Sequence, residues 1–148
     1  MRSEFFIAGD PMGWQRTGLN RKTGAIFTKD RTRSWETRLA YAVSEQMRER
    51  GLERIGPGVP ITLAMTFYRD VTKGLMSSKP KAQRTIAGIM AGTLKPTTKP
   101  DYDNLAKCHD ALNGVLWHDD AQITDAVLAK RYVLPGHSTG VRIVVETP

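Results

Sequence analysis

Cysteine is almost absent. Cys108 stands alone among 148 residues, so no disulfide can form within the chain and no cysteine-rich zinc site can be built. A reducing, cytoplasmic setting is the matching expectation. Long apolar runs are missing too. No stretch approaches the ~20 residues of a membrane-spanning helix, and the first residues lack the charged-then-apolar order of a secretion signal. No membrane partner is expected. There are no internal repeats and no low-complexity segment. Gly9–Gly13 is rich in Gly and Pro, yet no Gly-Lys-Ser/Thr follows, which excludes a phosphate-cradling P-loop there. Acids are scarce in the first two-thirds of the chain. Residues 1–100 hold 18 Lys/Arg against 8 Asp/Glu, whereas residues 101–148 hold 4 against 7, on a chain of net charge +7.

That asymmetry suggests a basic binding surface followed by a separate acidic site. A basic field favours nucleic acid, because Lys and Arg neutralise phosphates and release counterions. Basicity alone is equally compatible with a soluble protein that binds none. Arg16, Arg21, Lys22, Lys29, Arg31, Arg33 and Arg38 put seven cations within 23 residues, near Trp14 and Trp35. The first six are the candidate DNA-binding residues, with an aromatic available to stack on unpaired bases. The plainer alternative is a solvated surface with Trp35 in the core. Lys73, Lys79, Lys81 and Arg84 could form a second patch.

Length and ordinary composition (40% hydrophobic, 25% charged) fit one domain over residues 1–148. The expected class is α+β: a mixed, mostly antiparallel sheet flanked by two main helices. Glu4–Ala8 reads as a strand and Gly9–Gly13 as a loop. Gln15–Gly24 reads as a mobile polar loop, and Ala25–Thr28 as a short strand. Thr32 or Ser34 is expected to cap a helix reaching Arg50, with Trp35, Leu39, Ala42, Val43 and Met47 at helical spacing and Gly51 as its stop. Val59–Tyr68 alternates as a half-buried strand. Residues 71–99 read as a surface excursion with a short helix over Lys79–Met90. A second main helix is expected from Asp103 to Leu112, ended by Asn113-Gly114. Ile123–Val133 and Val141–Glu146 complete the sheet.

The densest chemistry lies in Lys99-Pro-Asp-Tyr-Asp-Asn-Leu-Ala-Lys107 and Asp119-Asp-Ala-Gln122. Asp101 and Asp103, at i and i+2 of an extended segment, would point the same way. Converging carboxylates repel unless a cation lies between them, and Mg²⁺ suits such hard oxygen donors. Asp119 or Asp120 could return to the same place after the turn at Asn113-Gly114. Lys107 shares a helix face with Asp103 and could stabilise charge on a phosphate. Each residue has a plainer role as well. Asp103 could be an N-cap, Asp103–Lys107 a surface pair of about 0.3–0.5 kcal/mol, and Asp119-Asp120 a polar turn. Together, in a basic chain, they favour a metal site. His109 falls on a different helix face and His118 reads as exposed, so zinc is disfavoured. Asp110 reads as a supporting residue and Cys108 as a small core residue.

With Asp110-Ala-Leu-Asn-Gly-Val-Leu-Trp117 between them, these motifs resemble the core of the RusA family of Holliday-junction resolvases. The close match spans about a sixth of the chain. The resemblance implies a small homodimeric, Mg²⁺-dependent endonuclease (Mn²⁺ a plausible substitute). It would resolve four-way DNA junctions by paired symmetrical nicks, in recombination and repair, in a bacterium or phage. It carries the metal ligands to Asp101, Asp103 and Asp120, and the catalytic lysine to Lys107. Spacing alone leaves Asp119 and Asp120 open; the choice of Asp120 comes from the resemblance. Tyr102 stands where the family commonly has an aliphatic residue. The alternatives are a branched-DNA-binding module that does not cut, or a flap or fork nuclease using the same metal chemistry.

Overall fold

Ile61, Leu63, Met65 and Phe67 alternate with smaller or polar residues, and that period of two fixes the middle of a sheet. The computed structural model describes residues 1–148. Strand β1 is Arg2–Ala8. A two-residue pair follows, β2 (Gly18–Leu19) and β3 (Ile26–Phe27), and then helix α1 (Asp30–Glu49). Strand β4 is Ile61–Arg69, α2 is Lys79–Met90, and α3 is the single turn Tyr102–Ala106. Strands β5 (Ile123–Tyr132) and β6 (Gly140–Glu146) end the chain. The main sheet has the order β1-β6-β4-β5, with β4 and β5 parallel and the other two pairings antiparallel. The expected mixed, mostly antiparallel sheet is the observed one.

One face of that sheet is dry. Phe5 and Ile7 of β1, the four β4 residues, and Val141, Ile143 and Val145 of β6 meet Trp35, Leu39, Val43 and Met47 of α1. Leu105, Cys108, Leu112, Leu116 and Trp117 join the same core. Residues 35, 39, 43 and 47 recur every fourth position, so α1 lays one stripe on the sheet. Its start differs from the expected cap. Lys29 occupies the N-cap with no side-chain bond, while Asp30 places a carboxylate in the first turn, where the helix dipole favours it. Thr32 lies inside the helix, buried, and its hydroxyl accepts from the Gln15 N–H at 3.2 Å. Gly51, at φ +62, ends the helix where expected.

Two further expectations are corrected. Gln15–Gly24 is a structured ribbon limb, since Gly18 and Leu19 pair with Phe27 and Ile26. The helix expected from Asp103 to Leu112 is one α-turn followed by a 3-10 segment, Lys107–Leu112. The tighter winding, about 3.0 residues per turn against about 3.6, changes which side chains share a face. The Lys79–Met90 helix forms as expected, with Ser78 accepting from the Lys81 N–H and Pro80 in its first turn.

Parallel strands need a long crossover. Here it runs from residue 70 to residue 122 and carries α2, α3 and the acidic motifs. Gln122 fastens its end. The Gln122 side chain accepts from the N–H groups of His118 and Asp119 at 3.0 Å each and donates to the carbonyls of Gly56 (2.7 Å) and Val59 (3.0 Å). It is 9% exposed, so four partners would lose their bonds with little water to replace them. Gln122→Ala is expected to lower stability by about 2–3 kcal/mol. A urea-denaturation midpoint unchanged from wild type would contradict that role.

Candidate active site

The crossover returns to the sheet through Thr98–Asp101, and two cations hold it there. Arg69 donates to the Lys99 carbonyl at 2.6 Å, and Lys130 donates to the carbonyls of Thr98 (2.8 Å) and Pro100 (3.0 Å). The Lys99–Pro100 peptide is cis. Asp101 then occupies the N-cap of α3 in extended backbone, and its carboxylate caps nothing. Asp103 is already helical. The i, i+2 argument for convergence therefore fails at its second residue, since the helix begins at Tyr102. Both aspartates still line one open cleft of about 760 Å³ against β5, with Lys130 and Arg131 on its far side. Asp101 also lines a second cleft, with Asp10, Trp14, Arg31 and Asn104. It stands where the two meet. Lys99 is its nearest cation, at 4.0 Å and largely in solvent.

Lys107 makes no ion pair with Asp103. Its ammonium lies 4.7 Å from the centroid of the Trp14 ring and 3.4 Å from Asn104 Oδ1. A cation over an indole face keeps its charge and gains position. The Trp14 N–H donates to the Asn104 carbonyl at 2.8 Å, so the loop and α3 are joined by backbone as well.

The Asp119-Asp120 pair divides its labour. Asp119 accepts from the Ala121 N–H at 2.8 Å and forms a capping box with Gln122 around the 3-10 turn Asp120–Gln122. Asp120 is left free of that turn. Its Oδ2 lies 3.5 Å from His109 Nε2, which is also 3.3 Å from Asp110 Oδ1. One ligand atom from each of these three residues falls within 4.8 Å of the others. The three expected ligands Asp101, Asp103 and Asp120 form no such cluster, and Asp120 groups with His109 and Asp110 instead. His109 joins neither Asp103 nor Lys107, and its grouping with Asp110 and Asp120 is one that helix phase within residues 103–112 does not reach. His109 Nδ1 is 2.7 Å from the Ala106 carbonyl, which assigns the proton to Nδ1. Nε2 faces the carboxylates of both Asp110 and Asp120, and the three ligand atoms are close enough to share one cation. A metal-binding histidine commonly donates its other N–H to a backbone carbonyl in this way. Asp101 and Asp103 offer exposed carboxylate oxygens with room for water, which fit a divalent ion such as Mg²⁺, while the His109 grouping sets a ring nitrogen beside two carboxylates.

Glu36, on α1, went unnoticed in the sequence, where it follows Trp35 on the edge of the buried stripe. It is half-buried, and burial first, then the Asp110 charge, push its carboxyl above the usual range. Cys108 is buried beneath, 3% exposed, and burial pushes its thiol up to about 12. The Trp35 Nε1–H, which has no hydrogen-bond partner, opposes that rise. The core role expected for Cys108 is observed. Trp35 is likewise core, 5% exposed, which removes it from any stacking role. Arg16, Arg21, Lys22, Lys29, Arg31 and Arg33 are all exposed, and none is in an ion pair.

The RusA endodeoxyribonuclease family model matches residues 8–146, nearly the whole chain. This protein belongs to the RusA family. It is also similar to the uncharacterized protein YqaN of Bacillus subtilis (strain 168), at 31% identity over 131 residues, covering 87% of each chain. No helix is long and apolar enough to cross a membrane.

Two outcomes follow from the buried groups. Cys108 should resist a thiol reagent in the native protein at pH 8 and react fully in denaturant; rapid native labelling would contradict its burial. A carboxyl raised by folding makes the native state bind more protons than the unfolded one, so its cost to stability grows as pH rises through the carboxylate range and above. In EDTA, Glu36→Gln should therefore raise the melting temperature at pH 8, with the gain fading at pH 4. An equal gain at both values would exclude this cause.

Proposed function

We propose that this protein is a divalent-metal endodeoxyribonuclease that resolves four-way DNA junctions, acting as a homodimer through paired symmetrical nicks. The observation that carries the reading is Asp101 at the meeting of two clefts. One cleft holds the acids, and the other leads to a limb without a single acidic residue from Pro11 to Lys29. Phosphates tracked by Arg16, Arg21, Lys22, Lys29, Arg31 and Arg33 would pass directly to the carboxylates.

Asp101, Asp103 and Asp120 are the proposed metal ligands, and His109 and Asp110 flank Asp120. Bound there, Mg²⁺ supplies positive charge at the scissile phosphate and lowers the pKa of the attacking water. The chain's own residues do the rest. Arg69 and Lys130 hold the backbone that presents Asp101. His109 Nε2 stands 3.5 Å from the Asp120 carboxylate, placed to share a cation with it. Lys107, fixed over Trp14, is aimed at charge that develops on the phosphate. Two cuts related by a two-fold axis are most simply made by a two-fold protein.

A synthetic four-way junction with Mg²⁺ tests this. Cleavage should be symmetrical across the junction, persist with Mn²⁺ and stop in EDTA. Asp101→Asn, Asp103→Asn, Asp120→Asn and Lys107→Ala should each slow it by about 100-fold or more while leaving binding in EDTA intact. Asp119→Asn should keep nearly full activity, because asparagine caps as well as aspartate. Equal losses at 119 and 120 would sink the division of labour. A junction left intact by wild type, or a monomer at micromolar concentration in sedimentation equilibrium, would sink the larger reading.

A further inference from the structure

The β2–β3 ribbon carries apolar side chains that the fold does not use. Leu19 faces Ile26 across the pair, and Gly18 faces Phe27. Adjacent residues of a strand point to opposite sides, so the two pairs occupy opposite faces. Leu19 is 62% exposed, Ile26 72% and Phe27 48%. The ribbon is a sheet of its own and neither face packs on the main core. Scattered apolar residues on a surface need no explanation, but Leu19 and Ile26 side by side on one face of so short a ribbon form an apolar pair, with Phe27 on the other face.

The ribbon is also built to hold a shape. Asn20 Oδ1 accepts from the N–H groups of Lys22 (2.9 Å) and Thr23 (3.3 Å), and the Asn20 N–H donates to the Ala25 carbonyl at 2.8 Å. Gly24, at φ +72, closes the turn. The far end of the Phe27 ring lies over Gly18, where any Cβ would collide with it. The root is anchored to the site through the Trp14–Asn104 backbone bond and the Lys107–Trp14 contact, and to α1 through Gln15 and Thr32. Exposed Arg16, Arg21, Lys22 and Lys29 lie on the ribbon's turn and flanks, with no acid from Pro11 to Lys29.

We propose that this ribbon is a wedge, its Leu19–Ile26 face inserted against unstacked bases at the branch point of the bound DNA. Unpaired cations beside an apolar tip match a polyanion whose only apolar surface is the faces of its bases. Aliphatic wedges of this kind unstack base steps in other DNA complexes. The rooting of the ribbon on α3 favours DNA over an anionic membrane, since whatever it grips is brought to the acids. The proposal rests on the junction-binding reading above.

The experiment places 2-aminopurine at the branch point of a four-way junction, or within one arm as a control, and titrates protein in EDTA. Wild type should raise fluorescence at the branch point only. Leu19→Ser/Ile26→Ser should abolish the rise and weaken junction binding by roughly 5- to 150-fold, the loss of about one stacked base. Its salt dependence and melting temperature should be unchanged. Leu19→Ala/Ile26→Ala should give the same pattern more mildly, guarding against a defect caused by the serines. Arg21→Ala/Lys22→Ala should keep the fluorescence rise at saturation and reduce the log–log salt slope by about 2. A fluorescence rise and affinity untouched in the serine variant would overturn the wedge. Loss of dimer in sedimentation, or loss of binding to anionic vesicles with junction binding retained, would overturn it in favour of a second copy or a membrane. If wild type binds and cuts junctions without a branch-point signal, only the wedge fails. If it does not bind junctions, both readings fail.

Discussion

Everything at the site hangs on a grip between two sheet cations and three carbonyls. A chain that leaves β4 and returns parallel on β5 must cross more than fifty residues away from the sheet's own hydrogen bonds. Arg69 and Lys130 catch it on the way back, at Thr98, Lys99 and Pro100. Charge-assisted bonds are stronger than neutral ones, and they act here on backbone rather than on exposed side chains. The residue delivered by that grip is Asp101. Leu105, fully buried, pins the other side of α3 to the core. A one-turn helix without these two anchors would not persist in water.

The basic charge of the chain is thereby divided into classes. Arg69 and Lys130 serve the fold. Lys107 is held by an indole face and an amide. The cations of the ribbon and of the start of α1 have no internal partner at all. Net charge alone does not distinguish them, and the last class stands clear of every internal partner. The acids are divided in the same way. Asp119 is spent on a cap, Glu36 is crowded by burial and by Asp110, and Asp101, Asp103 and Asp120 remain open to solvent or to the His109 cluster.

Much of the fold was legible because its signals are local. The alternation in β4, the four-residue spacing in α1, Gly51 as a stop, and Lys79–Met90 as a helix depend on periods that any chain must obey. The acidic motif and its family resemblance were legible for the same reason, as an ordered run of residue types. The start of α1 is not legible locally, because Thr32 is turned towards Gln15, a partner seventeen residues away. The ribbon is hidden in the sequence because each of its strands has only two residues, too few to show alternation.

What the sequence determined by itself is the chemistry on offer: an acid-rich limb with one lysine, on an otherwise basic chain, with nothing to build a disulfide or a membrane span. Tertiary structure decided how those groups are dealt out. It set Lys107 on Trp14 rather than on Asp103, gave Asp119 to a cap and Asp120 to His109 and Asp110, and left the ribbon's apolar face bare. The reason is that side-chain partnership depends on winding and on contacts across long separations. The change to 3-10 winding at Lys107 turns each following residue by a little more, and no local pattern announces it.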